Sequence, residues 1–256
     1  MLLTVDIGNT NVVMGLMPER GLLASSLRFP TDKRRTVQEF MEGFEALVAM
    51  HGFDFSNVNG AIVSSVVPEL TDSVVASVRA KTGEAPLVVD HRMDLGFTID
   101  METPEKLGVD MIADAAGAIN DYDGNLAIFD MGTATTCSVV SADRVYLGSI
   151  IMPGVVISQD ALTAKASALP FIKFERPKRL IGRDTVDCMR SGVIYANAAM
   201  MDGLVDRISD ELDGPVLAVA TGGISRLIVP ACRRYVVHDP NLLLKGLWDL
   251  YHRNIS

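Results

Sequence analysis

Aromatic residues are scarce in this 256-residue chain, at 6% with a single tryptophan, and cysteine is scarcer still, at three. No hydrophobic run approaches the roughly 20 apolar residues that a bilayer-crossing helix needs, so a membrane-spanning protein is not expected. Cys137, Cys188 and Cys232 lie far apart, without the close pairs of a zinc site. An odd and sparse count suits reduced, mostly buried thiols in a reducing compartment. The N-terminal stretch MLLTVDIGNT reaches an aspartate at its sixth residue, too early for a secretory signal. The expectation is a soluble, cytoplasmic protein.

Positive charge is also short. Lys and Arg number 23 against 32 Asp and Glu, a formal net charge of −9. Nucleic-acid surfaces need clustered cations to displace counterions, so that class of partner is excluded. An anionic small substrate is not, because backbone N–H groups and a metal ion hold phosphate locally. The one basic run, Lys33-Arg34-Arg35 beside Asp32, reads as a solvated loop after Pro30, with a phosphate-touching loop as the alternative.

What is present is a 48% hydrophobic fraction, ample for a packed interior, and a length near the limit of a single core. An internal repeat resolves the length. Leu2 to Thr10 (LLTVDIGNT) and Leu126 to Thr135 (LAIFDMGTAT) both carry a β-prone run ending in Asp-x-Gly, with Asp6 and Asp130 spaced by 124 residues. Each is followed by further apolar stretches, Val12 to Met17 with Leu22 to Leu27, and Cys137 to Val140 with Val145 to Ile151, which read as hairpins opening a sheet. Helical spacing predicts helices over Thr36 to His51, Glu69 to Thr82, Gly108 to Ala118, Val186 to Asp210 and Gly246 to Arg253. Further strands are expected at Ala61 to Ser64, Pro86 to Val89, Pro215 to Ala220 and Tyr235 to Val237, with Asn120 to Asn125 as the joint. The fold class is therefore α/β, with two related lobes over residues 1–120 and 121–256.

Gly8 lets the backbone turn tightly and approach a ligand, so its neighbours can aim N–H groups and the Asn9, Thr10 and Asn11 side chains at phosphate oxygens. Asp6, at a strand end, suits Mg²⁺ held directly or through water. An ordinary hairpin is the alternative for one copy; two copies at half-chain spacing favour a nucleotide held between lobes. Thr221-Gly222-Gly223 after an apolar strand adds a third place for close backbone approach.

These motifs resemble those of type III pantothenate kinases, of the acetate and sugar kinase/Hsp70/actin superfamily, across nearly the whole chain. The matching pieces are Asp6 to Val13, Ser64 to Pro68 (SSVVP), Leu107 to Asp110 (LGVD), Asp130 to Thr136 and Met152 to Val155. They continue with Thr163 to Pro170, Ile181 to Thr185, Ala220 to Gly223 and His238 to Leu247. The resemblance implies two actin-like (ribonuclease H-like) lobes with a nucleotide cleft between them. It implies transfer of the ATP γ-phosphoryl group to the terminal hydroxyl of pantothenate, the first step towards coenzyme A.

By the same resemblance Asp6, Ile7, Gly8, Asn9, Thr10, Asn11, Val12 and Val13 bind ATP, with Thr133 a further contact. Asp130 takes the monovalent cation, potassium or ammonium, and Asp110 is the general base. Gly108, Val109, Asp110, Met111 and Thr185 line the pantothenate pocket, and a homodimer is implied, with Val186 to Asp210 either its interface or a core helix within the lobe. For Asp110 the plain alternative is a helix-N-terminal residue complementing the macrodipole.

Three positions depart from the family pattern. Met111 stands where Arg is usual, Met101 where Tyr is usual, and Gly148-Ser149 where Gly-Gly is usual. Methionine supplies neither bidentate donors nor a hydroxyl, so the acceptor side changes while the ATP side stays intact. That leaves three readings: a pantothenate kinase with a rebuilt acceptor pocket, an actin-like-fold kinase for a different, less anionic hydroxyl compound, or a catalytically weak nucleotide-binding regulator.

Overall fold

A computed structural model of the chain describes all residues except His51, Phe53, Asp54 and Ser256. It divides into two compact units, residues 1–121 with 241–256, and residues 122–240.

The first unit contains β1 (Leu2–Ile7), β2 (Asn11–Met17), β3 (Ser25–Pro30), α1 (Val37–Ala49), β4 (Gly60–Ser65), α2 (Pro68–Thr82), β5 (Leu87–Val88), β6 (Thr98–Ile99) and α3 (Val109–Asp121). Its sheet runs β3-β2-β1-β4-β5, antiparallel through the two hairpins and parallel from β1 through β4 to β5. Strand alternation sorts the side chains. Leu3, Val5 and Ile7 join Phe40, Phe44 and Leu47 of α1 and Leu70, Val74 and Val78 of α2 in one core. Helix α1 starts on a capping box, with Thr36 accepting from the Glu39 N–H and Glu39 accepting from the Thr36 N–H. Its expected last residue, His51, lies outside the described residues.

The second unit contains β7 (Asn125–Met131), β8 (Ala134–Val140), β9 (Val145–Pro153), α4 (Val155–Lys165), α5 (Thr185–Ser191), α6 (Asn197–Glu211), β10 (Val216–Thr221), α7 (Ser225–Ile228) and β11 (Val236–His238). Strands β9-β8-β7-β10-β11 lie in that order, antiparallel across the hairpins and parallel from β7 through β10 to β11. Position for position this is the strand order of the first unit, so the repeat in sequence is a repeat in topology.

The last helix, α8 (Leu242–Asn254), corrects the expected division at 120/121: it belongs to the first unit, not the second. The reason is backbone packing. A Cβ at Gly246 would collide with the Ala113 carbonyl of α3, and one at Gly117 would stand 2.6 Å from the Leu242 carbonyl, so only glycine lets α3 and α8 lie this close. Arg20, in the turn after β2, adds a double hydrogen bond to Asp249 of α8 at 2.6 and 2.7 Å and a second pairing with Asp121 of α3. Lys245 reaches the same Asp121 at 2.8 Å.

Two other expectations change. The stretch Val186 to Asp210 is interrupted by a π turn at Gly192–Ala196, and Ala198, Met201, Val205 and Ile208 face the core of the second unit. Helix α4 was not expected: only Val155 and Gln159 of it are buried, so it carries no apolar stripe to read. Cys137 is buried, Cys232 half-buried and Cys188 exposed, all free. Burial pushes the Cys137 thiol up to about 12. Among the described residues no helix is long and apolar enough to cross a membrane.

Candidate active site

Asp6 sits at the carboxyl end of β1, in register with Ser64 on β4, and Gly8 begins the turn into β2. That end of parallel strands is where open α/β sheets bind ligands. The Gly8 N–H donates to the Asn11 carbonyl at 3.0 Å, closing a turn on which Asn9 and Thr10 are exposed. Ile7 and Val12 are both fully buried in the core, so within Asp6 to Val13 those two can offer a ligand only backbone groups. The Ser64 hydroxyl is buried, with no hydrogen-bond partner among the described residues. Sequence reasoning gave it no role; its place beside Asp6 depends on the β1–β4 register.

In the second unit Asp130 occupies the equivalent place on β7, paired with Thr136 on β8 and Thr221 on β10. The Gly132 N–H donates to the Ala134 carbonyl at 3.1 Å, and Thr133 is exposed at the tip. Gly222, with φ +86°, turns directly over this carboxylate, and a Cβ there would stand 2.6 Å from Asp130 Oδ1 and from the Met131 backbone. The Gly-Gly motif and the second Asp-x-Gly motif are therefore one local site. A Cβ at Gly154, just before α4, would collide with the Thr133 carbonyl.

Asp110 lies in the first turn of α3, where its Oδ1 accepts the Met111 N–H at 2.9 Å. Burial raises its pKa above the ordinary carboxylate range, opposed by that backbone donor. A Cβ at Gly108 would collide with the carboxylate, so glycine there leaves room for it to fold back over the helix start. Met111 is buried at 8% exposure, and Met101 is half-buried just before the 3-10 turn Pro104–Lys106. One turn along α3, Asp114 is also buried. Thr185 is exposed as the first residue of α5, whose start is capped by Asp184 accepting from the Asp187 N–H at 2.9 Å. Of the residues expected at the acceptor, Met101 and Gly108 to Met111 thus belong to the first unit and Thr185 to the second.

The profile of type III pantothenate kinases matches residues 2–207. The chain belongs to the type III pantothenate kinase family. A type III pantothenate kinase of Moorella thermoacetica is 36% identical over 254 residues, covering 99% of this chain and 100% of that protein. Among solved structures, a conserved putative Baf family transcriptional activator from Campylobacter jejuni superposes with a TM-score of 0.62 at 17% identity, covering 98% of each chain. A ROK family glucokinase from Streptomyces griseus, in complex with glucose and AMPPNP, reaches 0.50 at 15% identity, covering 97% of this chain and 98% of that one. These two likenesses concern the fold, which is that of the actin-like sugar kinases. As a type III pantothenate kinase, the protein phosphorylates pantothenate at the entry to coenzyme A biosynthesis.

Proposed function

We propose that this pantothenate kinase uses Asp110 as its general base and the two Asp-x-Gly turns as its nucleotide and cation sites. The observation that carries the reading is Asp110 itself. Its carboxylate is partly withdrawn from water at a helix start, with its pKa raised by burial, which makes it a stronger base than a solvated aspartate. In the reaction an Asp110 oxygen takes the proton of the acceptor hydroxyl as the new O–P bond forms. The bond from the γ-phosphorus to the β-bridging oxygen breaks, and ADP leaves with that electron pair. Phosphoryl transfer through a loose transition state asks mainly for positioning and for charge opposite the equatorial oxygens.

The backbone of Asp6 to Val13, with the exposed Asn9 and Thr10, supplies donors for the ATP phosphates, and Thr133 a further contact from the second turn. A divalent ion fits Asp6. No cluster of three or more His, Cys, Asp or Glu suited to a metal occurs among the described residues, and Mg²⁺ needs none when one carboxylate, water and phosphates share it. A monovalent cation fits Asp130, whose carboxylate lies under Gly222, the cradle that a Cβ would fill. These ions supply positive charge against the phosphate oxygens.

Met101 and Met111 take the places of the family's tyrosine and arginine in this reading and offer no donor to the pantothenate carboxylate. Loss of one charge-assisted contact corresponds to roughly 1.5–3 kcal/mol, about ten- to a hundredfold in affinity. Thr185 and the backbone of Gly108 and Val109 then hold the acceptor. A homodimer completes the assembly. Because α6 turns its apolar face into its own unit, the exposed Val156, Ile157 and Leu162 of α4, with Phe171 and Ile181, supply the surface for it. The cytoplasm is the location that the three free thiols suit. The deciding experiment is coupled ADP release with Mg²⁺ and potassium, with and without pantothenate. Turnover that does not depend on pantothenate sinks the reading.

A further inference from the structure

The turn between β1 and β2 is gripped from one side. Thr31, the first residue after β3, donates its N–H to the Thr10 carbonyl at 2.9 Å and its hydroxyl to the Gly8 carbonyl at 2.7 Å. The chain then reverses, with the Arg35 N–H donating to the Asp32 carbonyl at 2.9 Å. The one run of three basic residues in the sequence is therefore fastened by two hydrogen bonds to the loop that Asp6 opens.

Its three cations are not equivalent. Lys33 is paired with Glu69 at 2.6 Å. Arg34 folds onto Asp32 at 3.1 and 3.0 Å, with a side chain 90% exposed. Arg35 lies over the Phe29 ring at 4.2 Å and within 5.8 Å of the Phe40 ring, and its Nε is buried without a hydrogen-bond partner among the described residues. Asp32 and Glu39 are close enough to feel its charge. Asp32, however, accepts from Arg34, and Glu39 from Thr36. Among the described residues no carboxylate pairs with Arg35.

A cation drawn partly out of water without a counter-charge is unfavourable. Stacking relieves some of that cost and holds the guanidinium plane still, while leaving its N–H edge in the plane for an arriving anion. Phe29, the ring beneath it, is the register partner of Val12, and Pro30 that of Asn11, so the stacked group stands beside the strand end that carries the Gly8–Asn11 turn.

We propose that Arg35 is a phosphate contact of the nucleotide site, delivered by the turn that Thr31 fastens to the Gly8–Asn11 loop. The assignment rests on the reading of Asp6 to Val13 as the ATP-phosphate segment. Arg is suited to the task, because its planar fork meets two phosphate oxygens at once.

The test is calorimetric binding of ATP, ADP and adenosine, with Mg²⁺, to the full chain and to Arg35→Gln, Arg35→Lys and Arg34→Gln. Arg35→Gln is expected to weaken ATP by about ten- to a hundredfold while leaving adenosine within about twofold. Arg34→Gln, whose cation is already paired, is expected to stay near wild type for both. Should Arg35→Gln fold poorly, Arg35→Lys carries the test, keeping the charge but not the fork and losing ATP affinity severalfold. Wild-type ATP affinity in Arg35→Gln, equal losses for ATP and adenosine, or an equal loss in Arg34→Gln overturns the assignment. Failure of the wild-type chain to bind ATP overturns the phosphate-segment reading and Arg35 with it; wild-type binding with an indifferent Arg35→Gln overturns Arg35 alone.

Discussion

The two sheets share one strand order, yet their Asp-x-Gly turns are braced by different means. In the first, the turn is closed across three intervening loop residues and held by the Thr31 side chain and backbone. In the second, the loop is one residue shorter and is pressed by glycine backbone, with Gly222 over Asp130 and Gly154 against Thr133. Helices divide unequally too. The helix after β5 and the helix after β11 both pack on the first sheet, where Gly117 and Gly246 bring their backbones together. A duplicated strand scaffold thus conserves where the aspartates stand, while the support behind each turn is free to differ.

The largest expected effect separates the units by chemistry. Asp110→Asn in the first unit should lower kcat by roughly 10²- to 10⁴-fold, the usual span for losing a general base. The pH profile of kcat/KM should show an acid limb above the ordinary carboxylate pKa, as the raised value of Asp110 requires. The same shift has a stability sign. Between the unfolded and the raised folded pKa the native state holds the extra proton, so stability falls as pH rises through that window. Melting curves across that range should show the fall in wild type and not in Asp110→Asn.

Next in size, Gly246→Ala should cost about 3 kcal/mol by forcing α3 and α8 apart, read from denaturant midpoints. Gly222→Ala should cost about 2–3 kcal/mol, because a left-handed φ is strained for alanine and the methyl meets Asp130 and the Met131 backbone. Thr31→Val, which deletes only the hydroxyl bond to Gly8, should cost about 1 kcal/mol. Gly8→Ala is the smallest, under about 1 kcal/mol. Its φ is not left-handed, and a Cβ there would meet the Asn11 carbonyl at 3.2 Å, a contact that gives by tenths of an ångström. Equal costs at Gly8 and Gly222 would erase the contrast between the two turns.

Much of the scaffold was legible because strands and the Asp-x-Gly turns are local patterns. The hairpins, the parallel strands and helices α1, α2 and α3 fall near where period and turn residues put them, except that β3 lies at Ser25–Pro30, three residues beyond the apolar stretch Leu22 to Leu27. Helix α4 was illegible since Val156, Ile157 and Leu162 are exposed rather than striped towards a core. The sequence leaves Lys33-Arg34-Arg35 as a solvated or a phosphate-touching loop without choosing among the three, because nothing local distinguishes a residue stacked on Phe29 from its paired neighbours. Ser64 was visible only as part of a motif, and Thr31 carried no signal at all; both owe their positions to strand register.

By itself, the sequence determined the duplicated α/β plan and the family, and it singled out the residues proposed above for phosphate, cation and proton chemistry. Each of those depends on a short pattern or on residue type. Tertiary structure decided that α8 belongs with the first sheet, that Gly222 lies over Asp130, and that Arg35 stacks beside the first turn with no carboxylate paired to it among the described residues. Those are contacts between segments distant in the chain, fixed by close backbone packing and by which charges find partners, and no local pattern encodes them.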